Sequence, residues 1–489
     1  MKKYDLVVIG GGPAGTPVAM EFAKLNSDKR VAIIERKGEL GGECLFDGCI
    51  PSKIMKITAQ HIKELQQAQE FGIALENSHY KLIWEKIKQR KTAILAQRTA
   101  AAKDNASLLQ NIDILKANAT FVNEHELALE YADTQTKQNI TFTDLVIATG
   151  SSAFIPPYRG DAVDKIWTNE DFFEKMELPT SLSIIGSGAI AIEFAQILAA
   201  LGVEINLISR SSTILKNIDP QFAAIILEKL QESKNINLIL NATVTEINHD
   251  KEFELIYTQD KTEQRCHSQR VLVAAGRVAN ISHLQLEKAG VSYDKHGIIT
   301  DKHLATDVKH IYANGDVVKG FPKFAHTAMY GAHTIAQNLF LGHNFTSVDY
   351  SKNSWVLFST PNIAQAGMSE QEAKERGIES IVGVYDYSID AKFQIEGERE
   401  GFLKFIVEKK SLKIIGVSAL LDEANAIMGE GAVIVSKGVT LSDLLSTIHP
   451  HPTYSESFTF LAKQMMGEIM MQKLQNPIVK TLLDIERFL

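Results

Sequence analysis

Two cysteines lie five positions apart in a short glycine-rich segment, and this spacing limits the chemistry that they can perform. Cys44 and Cys49 belong to the segment GGECLFDGCIPSK at residues 41–53. A disulfide needs Cα atoms about 4.4–6.8 Å apart, which residues i and i+5 of a regular helix do not provide. Gly48 and Pro51 predict that the backbone leaves regular helical geometry here. The pair is therefore a candidate for a disulfide that opens and closes.

The composition narrows the other roles of this pair. The chain has 489 residues and only three cysteines, which excludes a disulfide scaffold. A metal site would need further ligands at matching spacing, and none lies near the pair in the sequence, so we expect no metal. The apolar run at residues 6–9 follows Asp5 and is too short for an export signal, so we expect a cytoplasmic protein. The third thiol, Cys266, lies in a polar segment and receives no role.

Charge and hydropathy exclude two further classes of protein. The formal net charge is −8, with acids and bases interspersed, whereas a nucleic-acid binder normally has a basic face. No stretch approaches the ~20 apolar residues that span a bilayer. We therefore expect neither a nucleic-acid partner nor a membrane partner. The length suggests about three domains of roughly 150 residues.

A second chemical segment, HPHPTYSE, occupies residues 449–456 near the C-terminus. Thiol–disulfide exchange needs a group that takes and returns protons, and histidine has a suitable pKa. A carboxylate can hold the second ring nitrogen of such a histidine and fix its tautomer. The residues alone leave open a structural histidine in a proline-rich turn.

The first of two glycine loops, GGGPAG at residues 10–15, follows a predicted buried strand at residues 4–10 and opens a helix. Gly10 permits a tight turn, Gly12 lets the backbone approach a pyrophosphate, and Gly15 allows close packing of helix on strand. The helix N-terminus offers free N–H groups to phosphates.

An acidic residue follows this loop at the distance that a dinucleotide site needs. Glu35 ends the next predicted strand, at residues 31–35, twenty residues after Gly15. Its carboxylate can accept hydrogen bonds from ribose hydroxyls. Strand, loop, helix and strand together predict a dinucleotide-binding unit, with a ligand-free glycine turn as the weak alternative.

The second loop, GSGAIA at residues 186–191, lies between a predicted strand at 182–186 and a helix at 191–201. The following predicted strand ends with Ser209 and then Arg210, where an NAD site would carry an acid. An arginine can pair with a 2′-phosphate, which favours NADP(H). A solvated strand-end charge is the open alternative.

Taken together, these motifs resemble the pyridine nucleotide-disulfide oxidoreductases, the group that contains dihydrolipoamide dehydrogenase, glutathione reductase and mercuric reductase. The resemblance covers essentially the whole chain, and its most specific part is GG-x-C-x3-GC-x-PSK. It implies an α/β fold of two Rossmann-like dinucleotide-binding domains plus a C-terminal α+β dimerisation domain. The expected ranges are 1–150 and 277–347 for the two parts of an FAD-binding domain, 151–276 for an NAD(P)-binding domain and 348–489 for the interface domain.

The resemblance also implies a role for each chemical residue. Cys44 would exchange with the substrate disulfide, and Cys49 would lie against the flavin as the charge-transfer thiolate. His451 would be the acid–base residue, oriented by Glu456. This pair comes from the other subunit in the family, which implies an obligate homodimer. The remaining implied catalytic residues form an ion pair beside the flavin, Lys53 with Glu193.

Cofactor contacts follow from the same resemblance. FAD contacts are expected from Gly10, Gly12, Pro13, Ala14, Gly15, Glu35, Arg36, Gly42, Lys53, Thr149, Gly150, Asp316, Ala325 and His326. NAD(P) contacts are expected from Gly186, Gly188, Ala189, Ile190, Glu193, Ser209, Arg210 and Gly276. One residue departs from the pattern, because Tyr330 stands where the family commonly has a glutamate before the glycine of that helix.

Dihydrolipoamide dehydrogenase activity is the leading expectation, because H-x-H-P-T-x-S-E resembles that enzyme more than glutathione reductase. Its partners would be lipoyl-domain or small-molecule disulfides, with docking in a 2-oxo acid dehydrogenase complex left open. Mercuric reductase is disfavoured because no vicinal cysteine pair follows Cys266. Two alternatives remain: an NADPH-dependent reductase of a glutathione-like or other small disulfide, and an FAD-holding structural subunit of a multienzyme complex.

Overall fold

The protein is described by a computed structural model, which covers residues 1–74, 80–131 and 133–475. It forms two compact units. The first holds residues 1–216 and 230–349, and the second holds residues 217–229 and the chain from residue 350 onward. Among these described residues, every helix is too short or too polar to span a bilayer.

The first unit contains a seven-stranded sheet whose centre is the N-terminal strand Lys2–Ile9. This strand pairs in parallel with Val31–Ile34 on one side and Lys137–Ile147 on the other. Leu6, Val7 and Val8 are fully buried, as their apolar run predicts. The sheet is completed by Ile112–Leu115, Ala117–Asn123, Glu126–Tyr131 and Ile311–Ala313. The last of these brings the chain back to the first sheet, where it pairs with Lys137–Ile147.

A second, four-stranded parallel sheet repeats the plan within the same unit. Its strands, in spatial order, are Ile236–Ile239, Glu204–Ile208, Ser181–Ile185 and Arg270–Val273. An antiparallel sheet accompanies it, formed by Ala242–His249, Phe253–Gln259 and Thr262–Ser268. The short antiparallel pair Ser151–Ala153 with Arg277–Ala279 lies where the chain enters and leaves this part. The expectation of two dinucleotide-type units is therefore confirmed at the level of fold.

Seven α-helices lie wholly within the described part of the first unit: Thr16–Leu25, Gly42–Phe46, Cys49–Gln67, Trp84–Ser107, Asn169–Lys175, Ala189–Ala200 and Ala325–Leu341. Two of these helices, Cys49–Gln67 and Trp84–Ser107, are long, and residues 75–79 between them lie outside the described part. An eighth helix, Pro220–Glu232, begins in the segment that belongs to the second unit.

The second unit is built on a five-stranded antiparallel sheet. In spatial order its strands are Ser354–Leu357, Ile363–Gly367, Ile414–Leu420, Phe402–Glu408 and Ser380–Asp386. The strand Phe402–Glu408 pairs antiparallel with both of its neighbours. Its described helices are Glu370–Glu375, Ala391–Ile395, Ala424–Lys437, Leu441–Leu445 and Glu456–Leu474. The end of the predicted interface domain, residues 476–489, lies outside the described residues.

Segment 217–229 contributes to the core of this second unit. Phe222 is fully buried. The Lys404 ammonium lies 2.7 Å from an Asp219 carboxylate oxygen and 4.9 Å from the centre of the Phe222 ring. Lys404 is itself almost completely buried, so these two contacts compensate a charge that would otherwise be costly to bury.

Candidate active site

The two cysteines lie on consecutive helices that a break in the backbone separates. Cys44 is in the helix Gly42–Phe46, and Cys49 begins the helix Cys49–Gln67. Gly48 between them has φ −139° and ψ −104°, far from helical values. The hydroxyl of Ser52 donates to the Gly48 carbonyl at 2.7 Å. The predicted departure from regular helix is therefore confirmed.

The two sulfurs form an asymmetric pair. Both are thiols in this structure, with Cys44 half-buried and Cys49 exposed. The hydrogen bond between them and burial raise the pKa of Cys44 well above its usual value. The same hydrogen bond lowers the pKa of Cys49; burial opposes the shift, and the Lys53 ammonium reinforces it. The two shifts have opposite directions, so ionisation of the reduced pair favours Cys49 over Cys44.

Lys53 connects this helix to the second glycine loop. Its ammonium lies 2.7 Å from Glu193 Oε2, and Glu193 belongs to the helix Ala189–Ala200 that follows the second loop. The Glu193 side chain is only 13% exposed, so the pair is partly shielded from water and its charges interact strongly. The ion pair thus joins the helix that begins at Cys49 to the helix that follows the second glycine loop.

A polar network holds the short helix of Cys44. Both guanidinium NH groups of Arg277 donate to the Glu43 carboxylate, one of them at 2.7 Å to Oε1. The amide of Asn169 donates to the same Oε1 at 2.9 Å. Arg277 also donates through Nε to Ser151 at 2.7 Å, and the Ser151 hydroxyl donates to Asp316 at 2.7 Å. The network therefore joins the residue before Cys44 to the predicted flavin residue Asp316.

The first glycine loop is packed too closely for side chains at two positions. A Cβ on Gly10 would lie 2.2 Å from the Ala148 carbonyl oxygen, and one on Gly15 would lie 2.1 Å from the Gly10 carbonyl oxygen. Gly10 also has φ +113°, a left-handed value that favours glycine. The Glu35 carboxylate accepts the Gly11 N–H at 2.8 Å, which fixes it beside the loop.

The residues around this loop fit a dinucleotide such as FAD. No side chain among the described residues caps the helix Thr16–Leu25; the N–H groups of Gly15 and Thr16 donate to the Gly12 carbonyl at 3.1 and 3.0 Å, and the helix N-terminus as a whole favours a pyrophosphate. Asn314 donates to the carbonyls of Ala14 at 3.0 Å and Ala328 at 2.8 Å. The loop is thereby tied to the helix Ala325–Leu341, whose N-terminus favours negative charge.

The other predicted FAD residues take separate positions around the loop. The Thr149 hydroxyl donates to the Asn280 carbonyl at 2.7 Å. A Cβ on Gly42 would lie 2.7 Å from the Gly12 Cα, so these two glycines approach closely. Arg36 is exposed, and the His326 ring stacks on Phe324. The positions not yet described are backbone turn or helix-start residues, namely Pro13, Gly150 with φ +70° and Ala325.

The second glycine loop borders a cavity of about 470 Å³. The predicted nucleotide residues that line it are Gly186, Gly188, Ala189, Ile190, Arg210 and Gly276. Ser209 does not line it; this residue is buried, and its hydroxyl accepts the Ser211 N–H at 3.1 Å. Glu193 is directed to Lys53 instead. Two arginines line the cavity: Arg210, just after the strand Glu204–Ile208, and Arg277, whose guanidinium is bound to Glu43.

The histidine segment lies in the second unit, where its two histidines have different surroundings. His449 is largely buried and holds Glu430 at 2.7 Å through Nε2 and Thr459 at 2.9 Å through Nδ1. The His451 side chain is 71% exposed, and its Nδ1 lies 3.0 Å from Glu456. His451 therefore has a free Nε2 edge with its other nitrogen held by a carboxylate, the arrangement that fixes a tautomer.

Glu456 is set up to remain ionised. Burial opposes ionisation, yet the hydrogen bonds from the Thr453 N–H, at 3.0 Å, and from His451 lower the pKa of Glu456. With Nδ1 held by this carboxylate, the ring presents Nε2 on its other edge. His451 can thus accept a proton at Nε2.

Two glycine loops, a separate antiparallel unit and an asymmetric cysteine pair define a flavin- and nucleotide-linked disulfide oxidoreductase. The family model described as pyridine nucleotide-disulphide oxidoreductase matches residues 4–332, and that for the dimerisation domain of the same family matches residues 353–462. The chain belongs to this family, whose members bind FAD and a pyridine nucleotide.

Relatives and a solved structure support this assignment along nearly the full length. A dihydrolipoyl dehydrogenase of Buchnera aphidicola is 32% identical, covering 95% of this chain and 96% of its own. A mercuric reductase of Staphylococcus aureus is also 32% identical, covering 94% and 82%. The HOCl-induced flavoprotein disulfide reductase RclA of Escherichia coli superposes with a TM-score of 0.80 at 27% identity, covering 94% of this chain and 99% of its own.

The network around Glu43 was not predicted from the sequence. Glu43 occupies the variable position of GG-x-C, and its partners Asn169 and Arg277 lie 126 and 234 residues away. No local pattern could have joined them. The partners of His449, Glu430 and Thr459, were also missed; they lie 19 and 10 residues away on helices whose facing the sequence did not give.

Proposed function

We propose that the chain oxidises dihydrolipoyl groups, or reduces the corresponding disulfides, through the Cys44–Cys49 pair, FAD and a pyridine nucleotide. The observation that carries this proposal is the placement of Cys44 and Cys49 on consecutive helices broken at Gly48, with the Lys53–Glu193 ion pair one turn along the second helix. The sequence HPHPTYSE and the dihydrolipoyl dehydrogenase relatives favour a dihydrolipoyl substrate.

In the oxidising direction, a substrate thiolate attacks Cys44, and Cys49 leaves as a thiolate. The lowered pKa of Cys49 makes it a good leaving group. The second substrate thiol then attacks the sulfur joined to Cys44, which releases Cys44 and the oxidised substrate. Two electrons pass from the substrate dithiol to the cysteine pair, and His451 accepts the released proton at Nε2.

The residues of the first glycine loop would hold FAD, which when bound supplies two-electron transfer between the cysteine pair and the nicotinamide. Lys53 and Glu193 lie between the cysteine helix and the nucleotide helix. We propose that Lys53 keeps Cys49 ionised and that Glu193 keeps Lys53 in place. The exposure of His451 in this chain supports the proposal that it serves the cysteines of a second copy in a homodimer.

The substrate proposal is tested by steady-state rates of the purified holoenzyme. Lipoamide, glutathione disulfide and a small aromatic disulfide are compared at equal concentration, in both directions where possible. The proposal expects lipoamide to exceed glutathione disulfide in kcat/KM by at least about 100-fold, which corresponds to about 2.7 kcal/mol of transition-state binding. Equal values, or a preference for glutathione disulfide, would contradict it.

A second candidate, an NADPH-dependent reductase of another small disulfide, is favoured by Arg210 in the wall of the nucleotide cavity. A guanidinium there pairs with the 2′-phosphate of NADPH. The same assay run with NADH and NADPH separates the two candidates. Strong preference for NADPH together with poor lipoamide turnover supports the reductase, and preference for NADH supports the dihydrolipoyl enzyme.

The Cys49 thiolate gives this function a pH signature. A depressed pKa means that the ionised form persists as pH falls below the ordinary thiol pKa of about 8.5. Lys53→Met removes the positive charge, so the pKa of Cys49 should rise. The measurement is the pH titration of thiolate absorbance in reduced protein, with Lys88→Met, whose partner is the exposed Glu85, as the control. An unshifted titration in Lys53→Met would count against the assigned role of Lys53.

Docking in a large complex is a separate proposal that rests on the dihydrolipoyl dehydrogenase relatives. Catalysis in isolation distinguishes an enzyme from an FAD-holding subunit. Cys49→Ser should abolish disulfide turnover while retaining flavin. Binding to a 2-oxo acid dehydrogenase core, measured by cosedimentation, tests the docking, and failure to cosediment with turnover intact would remove it.

A further inference from the structure

Glu43 precedes Cys44 and carries more hydrogen bonds than a variable surface residue requires. Its Oε1 accepts from Asn169 Nδ2 at 2.9 Å and from Arg277 at 2.7 Å, and its Oε2 accepts the other guanidinium nitrogen. The two-pronged contact of arginine with carboxylate fixes orientation as well as distance. With side-chain exposures of 16% for Arg277 and 27% for Glu43, this ion pair is partly shielded from solvent.

Asn169 reaches the other end of the same short helix. Besides Glu43, its amide donates to the Asp47 carbonyl at 2.8 Å, so one amide contacts both sides of Cys44. Asn169 is itself buried and begins a helix that Thr168 and Asp171 cap reciprocally. Its position is therefore rigid, and the Cys44 helix is held against it.

The two partners of Glu43 also belong to another site. Both Asn169 and Arg277 line the 470 Å³ cavity at the second glycine loop. Each side chain thus faces the predicted nucleotide position while its polar atoms hold the Cys44 helix. A nucleotide that displaces either side chain changes the support of Glu43, and the effect must be reciprocal.

We propose that Glu43 is a positioning residue for Cys44 and that Asn169 and Arg277 transmit nucleotide binding to the reactivity of Cys44. This inference rests on the proposed function only in taking the cysteine pair as the disulfide-exchange site and the cavity at the second glycine loop as the nucleotide site. Glu43 touches no reacting atom; it sets the orientation of the helix that presents the Cys44 sulfur.

The test is alkylation of Cys44 by iodoacetamide in the reduced holoenzyme, followed by peptide mass spectrometry so that Cys49 and Cys266 are scored separately. Rates are measured across pH, with and without saturating NAD⁺ or NADP⁺. In the unsubstituted protein, nucleotide should change the Cys44 rate by at least about threefold. In Glu43→Gln, which loses the charge at nearly constant volume, the basal rate should change by about tenfold, and the nucleotide effect should disappear.

Matched variants separate positioning from general damage. Glu39→Gln removes an acid of the same segment whose carboxylate lies 3.9 Å from Lys103, and it should behave as the unsubstituted protein. Asn169→Ser, with nucleotide at saturation, should change the Cys44 alkylation rate as Glu43→Gln does. The double variant should show little further change in this rate, because both substitutions break one network. If Glu43→Gln fails to retain flavin, Asn169→Ser carries the test.

The proposal is overturned if Glu43→Gln and Asn169→Ser keep the full nucleotide effect on Cys44, or if the unsubstituted protein shows none. Because alkylation uses no disulfide substrate, these results are independent of whether dihydrolipoyl groups are the substrate. An enzyme inert toward all disulfides but with nucleotide-sensitive Cys44 would contradict the proposed function and support this inference.

Discussion

The two glycine loops share one plan yet differ at its last position and at the end of the following strand. Gly15 of the first loop corresponds to Ala191 of the second, which is fully buried without strain. In the first loop, a Cβ at Gly15 would lie 2.1 Å from a backbone oxygen. The first helix therefore packs closer to its strand than the second does. The first strand end is acidic at Glu35, and the second is basic at Arg210.

This contrast indicates that close backbone packing constrains the first loop, whereas the charge at the following strand end distinguishes the second. The first loop has its carboxylate already fixed by the Gly11 N–H. The second has Arg210 exposed in a cavity wall. We therefore expect changes in the first loop to affect retention of cofactor and changes in the second to affect the choice of nucleotide.

The largest effect should come from making the first loop like the second by Gly15→Ala. The new methyl would overlap the Gly10 carbonyl oxygen, so helix and strand must separate. We expect flavin retention to weaken by about 100-fold, the upper range for overpacking. The flavin absorbance that remains after gel filtration measures this retention. The control is Ala191→Gly; Gly150→Ala is unsuitable because Gly150 has φ +70°. Full flavin occupancy in Gly15→Ala would contradict the conclusion that the first loop is packed more closely than the second.

A smaller but directional effect is expected from Arg210→Glu, which gives the second strand end the charge of the first. Loss of a charge-assisted hydrogen bond and gain of repulsion should lower kcat/KM for NADPH by about 10–100-fold. The value for NADH should change by less than about threefold. Steady-state kinetics give the ratio of kcat/KM for NADPH to kcat/KM for NADH. An unchanged ratio would show that Arg210 does not bind the 2′-phosphate.

Glu35→Gln should have a moderate effect on the first loop. The amide keeps the shape of the side chain but loses the charge that the Gly11 N–H binds at 2.8 Å. We expect the affinity for FAD to fall by about tenfold, the size of one hydrogen bond to a charged group. Titration of flavin into stripped protein measures it. An equal loss in the exposed neighbour variant Glu39→Gln would assign the effect to net charge alone.

The smallest effect on stability is expected from Gly188→Ala. A Cβ at Gly188 would meet no atom within 4 Å, so the melting temperature should change by no more than about 2 °C. The methyl would still enter the nucleotide cavity and should raise the nucleotide Kd. A large drop in melting temperature would show that the second loop is as tightly packed as the first.

Apolar runs and glycine loops made most of this fold predictable. Leu182 to Ile185 and Leu6 to Ile9 are buried strand residues, as their composition predicts, and the Cys44–Cys49 spacing predicted the break at Gly48. Ser209 shows the limit of this reasoning. The strand ends at Ile208. Just beyond it, Ser209 is buried, whereas Arg210 lines the cavity.

The support of Cys44 was beyond prediction for a different reason. Glu43, Asn169 and Arg277 meet only after the seven-stranded and the four-stranded sheets have both formed. Each residue alone has an ordinary local explanation, as a helix-start acid, a helix-start amide or a strand-end base. The network exists only because folding brings these three residues together, and sequence spacing does not predict contacts over such separations.

The placement of segment 217–229 has a consequence for engineering. The backbone passes between the two compact units three times, after residues 216, 229 and 349. A gene fragment starting at codon 350 would encode Lys404 without Asp219 and would leave the site of Phe222 empty. Exchange of the C-terminal unit with that of a relative therefore requires that residues 217–229 be exchanged together with the chain from residue 350 onward.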